Sequence, residues 1–478
     1  MSQIPCRRMF VVRGACILGL SLLPSVTVRG QDAPQTSPVT VYNVRDFGAA
    51  GDGKTDDTAA FQKALDAAGK AGGGIVQAPR GNYFFAGHLN VPNAVTLAGL
   101  WESVPAHNGL RDRGLPKPTD DGTTFLVTEG AGNEEGASFI TLNTNSTLKG
   151  VVIYYPQQNI DAPPQAYPWA ISMRGKNPAV LDVELLNPYN GIDATGNERH
   201  LIRNVHGQPL RRGIFVDKCY DVGRIENVHF WPFWKWDEES GIRDWLWKNG
   251  EAMIFARTDW QYVLNFFCFG YGIGMRFIES KDGPCNGNFL GCGIDAAEIA
   301  VLVEQTQPPG LLFTNGEFVS FAGEKPCEIV VKDTHTGVVQ FQNCSYWGSS
   351  DQIARIAGTG QVSFNGCNFI GWDRKQNKTP AIELFGGDLI VNGCNFRGAG
   401  PQVALRGKSK SAIVTSNRMG GPQAITNPVN AQLEAGFNIF EKGPERPKEE
   451  AGAIVIDDTD GPTSVTFTGD WLAAQNGN

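Results

Sequence analysis

Phe364-Asn365-Gly366-Cys367-Asn368-Phe369 returns 27 residues later as Val391-Asn392-Gly393-Cys394-Asn395-Phe396. Looser forms of the phrase precede it: Ile202-Arg203-Asn204-Val205-His206, Ile225-Glu226-Asn227-Val228-His229, Leu264-Asn265-Phe266, Gly287-Asn288-Phe289, Phe313-Thr314-Asn315-Gly316 and Phe341-Gln342-Asn343-Cys344. Counted from Asn to Asn, the steps are 23, 38, 23, 27, 28, 22 and 27 residues. Such a period calls for a repeat architecture. Each unit holds short β-branched or aromatic runs punctuated by Gly and Asn, without helical periodicity. Leucine-rich repeats need a Leu skeleton and propeller blades about 40 residues each, so neither fits. A parallel β-helix fits: each coil lays its strands on the previous coil about 4.8 Å away. Asn at a corner can satisfy backbone groups that the turn leaves unpaired. The spacing predicts that Asn204, Asn227, Asn315, Asn343, Asn365 and Asn392 line one corner.

A solenoid can occupy most of a 478-residue chain as a single unit. The 58 Gly and 28 Pro suit a chain that turns often, and the formal charge of −8 argues against nucleic acid and anionic membrane surfaces. Residues 1–30 read as an export signal: Arg7, Arg8 and Arg13 precede an apolar run from Ala15 to Val28. Arg7-Arg8-Met9-Phe10-Val11 also resembles a twin-arginine signal, and either route places the protein in the periplasm or outside the cell. No later run is apolar and long enough to span a bilayer. Residues 31–40 read as a spacer, 41–440 as the solenoid and 441–451 as a linker. Residues 452–478 weakly resemble the start of a β-sandwich carbohydrate-binding module. Cys344, Cys367 and Cys394 hold equivalent places in successive units, which predicts stacked buried thiols rather than disulfides. No spacing suits zinc, so no metal is expected.

Gly48 to Thr55 satisfies the P-loop pattern, but Asp56 and Asp57 would put carboxylates where phosphate must bind. They suit a helix N-terminus instead. The helix, from about Asp57 to Ala71, puts Phe61, Ala64, Leu65 and Ala68 on one face and covers the open first coil. The run through Asp46-Phe47-Gly48, Gly51-Asp52-Gly53, Thr55-Asp56-Asp57, Gly72-Gly73-Gly74 and Pro79-Arg80-Gly81-Asn82-Tyr83 resembles the opening of the pectate lyase-like superfamily. The likeness is to the rhamnogalacturonase/epimerase branch, related to polygalacturonases. It implies an all-β protein, a single right-handed parallel β-helix with an N-terminal capping helix, acting on polysaccharides that often contain uronic acids. The polygalacturonase motifs are missing: Arg-Ile-Lys is absent, and the pairs Asp56-Asp57, Asp120-Asp121 and Asp457-Asp458 lie away from the middle units.

Chemistry concentrates between Arg199 and Trp260. Arg199, Arg203, Arg211, Arg212, Lys218 and Arg224 form a basic island in an acidic chain, suited to carboxylated or sulfated sugar. Six of the eleven Trp follow between Trp231 and Trp260, on the unit with the longest step. A stacking platform for sugar rings and a hydrophobic lid both account for them. Loop aromatics Tyr154, Tyr155, Tyr167 and Trp169 admit the same two readings. His206 and His229 share the Asn-Val-His phrase, as a polar ladder or as acid–base groups. Arg203 and Glu226 align as a stacked salt bridge. The expected site is a groove with His206, His229, Asp217, Glu226 and Asp237 as candidate catalytic residues. Arg199, Arg211, Arg212, Trp231, Trp234 and Trp236 are the candidate substrate-binding residues. Hydrolysis of a uronate-containing polysaccharide by two carboxylates, needing no cofactor, is set first. Elimination by a lyase, with Ca2+ to neutralise the uronate, and a non-catalytic glycan-binding solenoid remain open. The expected partner is the polysaccharide, with the protein a monomer or a homo-oligomer built through the solenoid side.

Overall fold

The computed structural model describes residues 40–107, 121–236 and 241–440. The segments expected to be an export signal, a linker and a tail lie outside them, as does Asp237. Strands from Val41–Asn43 to Ile439–Phe440 form a right-handed parallel β-helix of about 15 turns. The strands of the main sheet pair in parallel, each with its counterpart in the next coil. The first coil is covered by α1 (Thr58–Lys70), which buries Ala60, Phe61, Ala64, Leu65 and Ala68. Phe61 meets Tyr83, Phe85 and Phe125 edge-on at 4.9–5.6 Å. Gly48 to Thr55 runs into the strand Asp52–Asp56 rather than into a helix N-terminus. Asp57 serves that turn, its carboxylate accepting the N–H groups of Ala50 and Gly51.

Three faces follow from the register. One corner is an αL residue in every middle coil: Asn204, Asn227, Asn265, Gly291, Asn315, Asn343, Gly366 and Gly393 have φ of 53–65°. Asn tolerates this conformation because its short polar side chain bonds locally, and Gly because it has no Cβ. The corner N–H donates to the carbonyl just ahead of the next coil's corner, as in Asn343 to Asn365 at 2.9 Å and Gly366 to Asn392 at 3.0 Å. Asn227 also donates its side-chain amide to Asn204 Oδ1 (3.1 Å), and Asn204 to Asp182 Oδ1 (2.8 Å).

The expected corner therefore holds for Asn204, Asn227, Asn315 and Asn343. It is one residue out for Asn365 and Asn392, which end their strands while Gly366 and Gly393 turn. Asn288 is no corner either. It pairs with Tyr262 and Leu312 inside a strand, and Gly291 makes the turn. Inside, equivalent aromatics stack: Phe289, Phe313, Phe341 and Phe364 lie 4.7, 4.9 and 5.2 Å apart. These separations match the coil spacing, so one register serves both the backbone ladder and the core. Cys219, Cys268, Cys285, Cys292, Cys327, Cys344, Cys367 and Cys394 are all free and buried.

Asn227→Ala should lower unfolding free energy by about 1–2 kcal/mol, because Ala is strained in αL and lacks the amide. Asn227→Gly should cost less than half of that, measured by urea titration. Equal losses would place the cost in the amide bond alone. Phe61→Ala should cost about 3–5 kcal/mol by opening the capped end.

Candidate functional site

Residues two and four positions beyond the corner point outward on one face. The first column runs Glu184, His206, His229, Phe267, Gly293 and Glu317, each the Cα partner of the next. The column beside it includes Phe269 and Asp295, with Trp231 packed on Phe269 at 5.0 Å. At its N-terminal end the face is roofed. Glu184 is fully buried and holds His107, with N–H and Nδ1 each at 2.8 Å. His206 and His229 meet edge to face at 5.5 Å, beneath the buried Phe233. His206 Nδ1 and His229 Nε2 are buried without a hydrogen-bond partner. Burial pushes both imidazoles down, His206 to about 4 with further help from His229. At neutral pH both are uncharged.

Beyond His229 the face opens into a cleft of about 720 Å³. Asn265, Phe267, Gly293, Asp295, Glu317, Val319, Phe321 and Trp347 are among its lining residues. Phe321 and Trp347 are 40% and 55% exposed, so their rings are open to a ligand. Between Ile294 and Ala297 two residues oppose the single Val319, a β-bulge with Ala296 at φ 55°. The half-buried Asp295, four positions beyond Gly291, lines the cleft at the start of this bulge. Burial raises its carboxyl above the usual 3.8, against a lowering hydrogen bond from the Ala296 backbone. On ideal strand spacings Asp295 and Glu317 stand roughly 8 Å apart at Cα, within the span of one sugar unit.

The long insertion supports this cleft rather than walling it. Trp231 and Trp236 are half-buried against Phe269, at 5.0 and 5.3 Å. Trp236 also sits where a Cβ on Gly270 would lie 2.2 Å from its ring, so glycine is required there. The helix α2 (Ile242–Asn249) carries Trp247, whose indole N–H donates to Ala296 O at 2.8 Å. The insertion thus pins the bulge that presents Asp295.

Several expected site residues fall elsewhere. Trp234 is fully buried and offers no face to a sugar; its apolar surface anchors the insertion. Tyr155 and Tyr167 are likewise buried against each other at 4.7 Å, so the anchoring reading applies to that loop. Asp217 ends a strand of a different face, and its Oδ1 accepts from Lys218 N, Arg257 N and Ser280 Oγ at 2.9–3.0 Å. Three donors make it a fastener of the turn. Glu226 shares a strand with His229 but lies across the Asn227 corner, on the neighbouring face.

The basic island is largely neutralised by carboxylates distant in sequence. Arg199 pairs with Asp221, Arg211 with Glu251 (3.0 Å) and Arg212 with Glu134. Arg203 and Glu226 are Cα partners yet form no ion pair among the described residues. His206, His229 and Trp231 are therefore the predicted residues that the structure brings together. Asp295, Glu317, Phe321 and Trp347 were missed. Among the described residues no three His, Cys, Asp or Glu side chains converge as an ion would require.

The fold is a parallel β-solenoid with an open cleft on one face, and comparisons with known proteins place part of it beside a known family. Residues 41–218 match the family described as rhamnogalacturonase A/epimerase, pectate lyase-like. That match covers little more than a third of the chain and supports the pectate lyase-like resemblance there. It is 67% identical over 46 residues to alginate lyase 7 of Azotobacter vinelandii, a stretch that is 10% of this chain and 5% of that protein. It is 63% identical over 108 residues to the mannuronan C5-epimerase AlgE5 of the same organism, 22% and 11% of the two chains. The chain thus spans only about a tenth or less of these relatives. Among solved structures, the N-terminal fragment of bacteriophage Phi29 gene product 12 aligns with 82% of this chain and 72% of its own, at 14% identity and a TM-score of 0.51. That likeness concerns the fold alone. No helix among the described residues is long and apolar enough to cross a membrane.

The histidine pair makes stability depend on pH. Unfolded, the imidazoles bind protons below the ordinary 6.5; folded, His206 resists until about 4. Stability should therefore fall as pH drops from 6.5 towards 4. His206→Gln with His229→Gln should flatten that part of the profile of urea midpoints.

Proposed function

We propose that the protein is a polysaccharide-cleaving enzyme, a glycoside hydrolase whose acid is Asp295 and whose second carboxylate is Glu317. One observation carries this reading. A carboxyl with a raised pKa stands beside a bulge in an open cleft that also holds a second carboxylate and an exposed indole. A carboxyl that keeps its proton can act as general acid towards the leaving glycosidic oxygen. Glu317, exposed in the same cleft, takes a proton from the attacking water. The C1–O bond to the leaving sugar breaks as the bond from water to C1 forms, so one water is added overall. Trp347 and Phe321 offer apolar faces to the sugar rings on either side.

Elimination is the second reading, favoured by the uncharged His206 and His229 at the closed end of the same face. A lyase needs a base and a cation beside the uronate carboxylate. None of the residues lining the cleft is Lys or Arg, which sets hydrolysis first. Acidic polymers remain first as substrates because the relatives are named for alginate and mannuronan, both polyuronates. A wholly non-catalytic, glycan-binding role would leave the raised carboxyl of Asp295 without a purpose.

Incubation with polymannuronate, polygalacturonate and a neutral glucan separates the readings. New reducing ends without ultraviolet-absorbing products are expected. Unsaturated ends would transfer the chemistry to the histidines, and binding without cleavage would make the solenoid a lectin. Asp295→Asn or Glu317→Gln should cost about two to four orders of magnitude in kcat. Trp347→Ala should raise KM with little change in kcat. Trp247→Phe, which loses the N–H to Ala296, should lower kcat about tenfold or more without unfolding the protein, because it loosens the Asp295 bulge.

A further inference from the structure

Across the Asn corner from the cleft lies a second groove, of about 610 Å³, on the neighbouring face. Its floor is Tyr262, Leu264, Leu290 and Leu312. Tyr262 and the first two leucines are 44%, 37% and 42% exposed. Trp260, 62% exposed, stands two residues before Tyr262 at the groove's rim. Arg224 and Glu226 close the N-terminal end, and Arg203, the Cα partner of Glu226, lies one coil further. Among the described residues these three make no ion pair and no side-chain hydrogen bond. Towards the C-terminal coils the same columns turn to Thr314, Gln340, Gln342, Asn365 and Asn392.

The geometry points to a second saccharide-binding subsite here, one that recognises the carboxylate of an acidic sugar. It rests on the polysaccharide reading above and adds what the cleft lacks. Two exposed guanidinium groups against one carboxylate leave a net positive end, and guanidinium pairs with carboxylate by a planar two-point fork. Tyr262 and Trp260 present rings of the kind that pyranose faces stack on. The amides and hydroxyls of the following coils suit the hydroxyls of a polymer running along the solenoid. A second copy of this chain fits less well. Three part-exposed leucines flanked by amides fall short of the roughly 800 Å² per partner that a stable interface buries. Cleft and groove share the Asn ridge, so an acidic polymer held by Arg203 and Arg224 lies beside the acids that act on it.

The test uses the full chain carrying Glu317→Gln, which leaves the polymer intact. Its affinity for polymannuronate, polygalacturonate and a neutral glucan is compared with that of the same chain carrying Arg203→Gln and Arg224→Gln, or Tyr262→Ala. All three positions are exposed, so folding should survive. Expected is about a tenfold or greater loss for the polyuronates in the double arginine variant, with a shallower salt dependence and no loss for the glucan. Tyr262→Ala should weaken all binding. If polyuronate affinity survives loss of both arginines while Trp347→Ala weakens it, the subsite is wrong and the enzyme reading stands. If the parent binds none of the three polymers, both fall; a dimer dispersed by Leu290→Lys would then make this face a contact between copies.

Discussion

A left-handed corner, repeated in every middle coil, sets the rest of the structure. At each one the backbone N–H must reach the carbonyl of the coil beyond, and the residue must accept φ near 55°. Only Asn and Gly do this readily, which is why the phrase survives when little else in the repeat does. Once the corner is placed, every outward position is fixed by the two-residue alternation of strands. Faces are thus assembled from residues some 25 positions apart, without any local motif. The core obeys the same spacing, since Phe rings stacked at 4.7–5.2 Å fill the interior only when the coils are in register.

A solenoid with regular corners would have uniform sides. Function needs an interruption, and the interruption here is coupled to the insertion. The 38-residue step holds α2, and Trp247 of that helix binds the carbonyl of Ala296. The bulge it steadies is the place where the cleft-side column breaks register, directly at Asp295 and Ala296. The tryptophans are accordingly mostly structural. Their apolar area fastens the insertion to the coils, and the one ring left open in the cleft, Trp347, comes from a later coil.

Much of the fold was legible in the sequence because its signal is periodic: corner, capping helix and buried thiols all follow from spacing and residue type. The site was legible in part. His206 and His229 share a phrase, so their adjacency could be read directly. Asp295 could not be, because Asn288 mimics a corner that Gly291 makes. With that coil shifted by three residues, Asp295 no longer counts as four beyond its corner. The ion pairs hid for a different reason. Arg211 and Arg212 find Glu251 and Glu134 at separations of 40 and 78 residues, which no local charge count registers. A cluster of like charges in a repeat protein says little until the carboxylates of neighbouring coils are in place.

Electrostatics then divide the work between two faces. Burial raises the Asp295 carboxyl above its usual range, and no guanidinium lines its cleft to oppose this; a nearby Arg would favour the charged form and lower the pKa. The same lack of cations leaves the cleft unable to neutralise a uronate by itself. Positive charge without a partner is found across the ridge, at Arg203 and Arg224, far enough to spare Asp295 yet on adjoining strand segments. A single face could not hold both functions without one undoing the other. The Asn corner separates them by one turn of the backbone, so the element that keeps the coils in register also keeps the acid apart from the arginines.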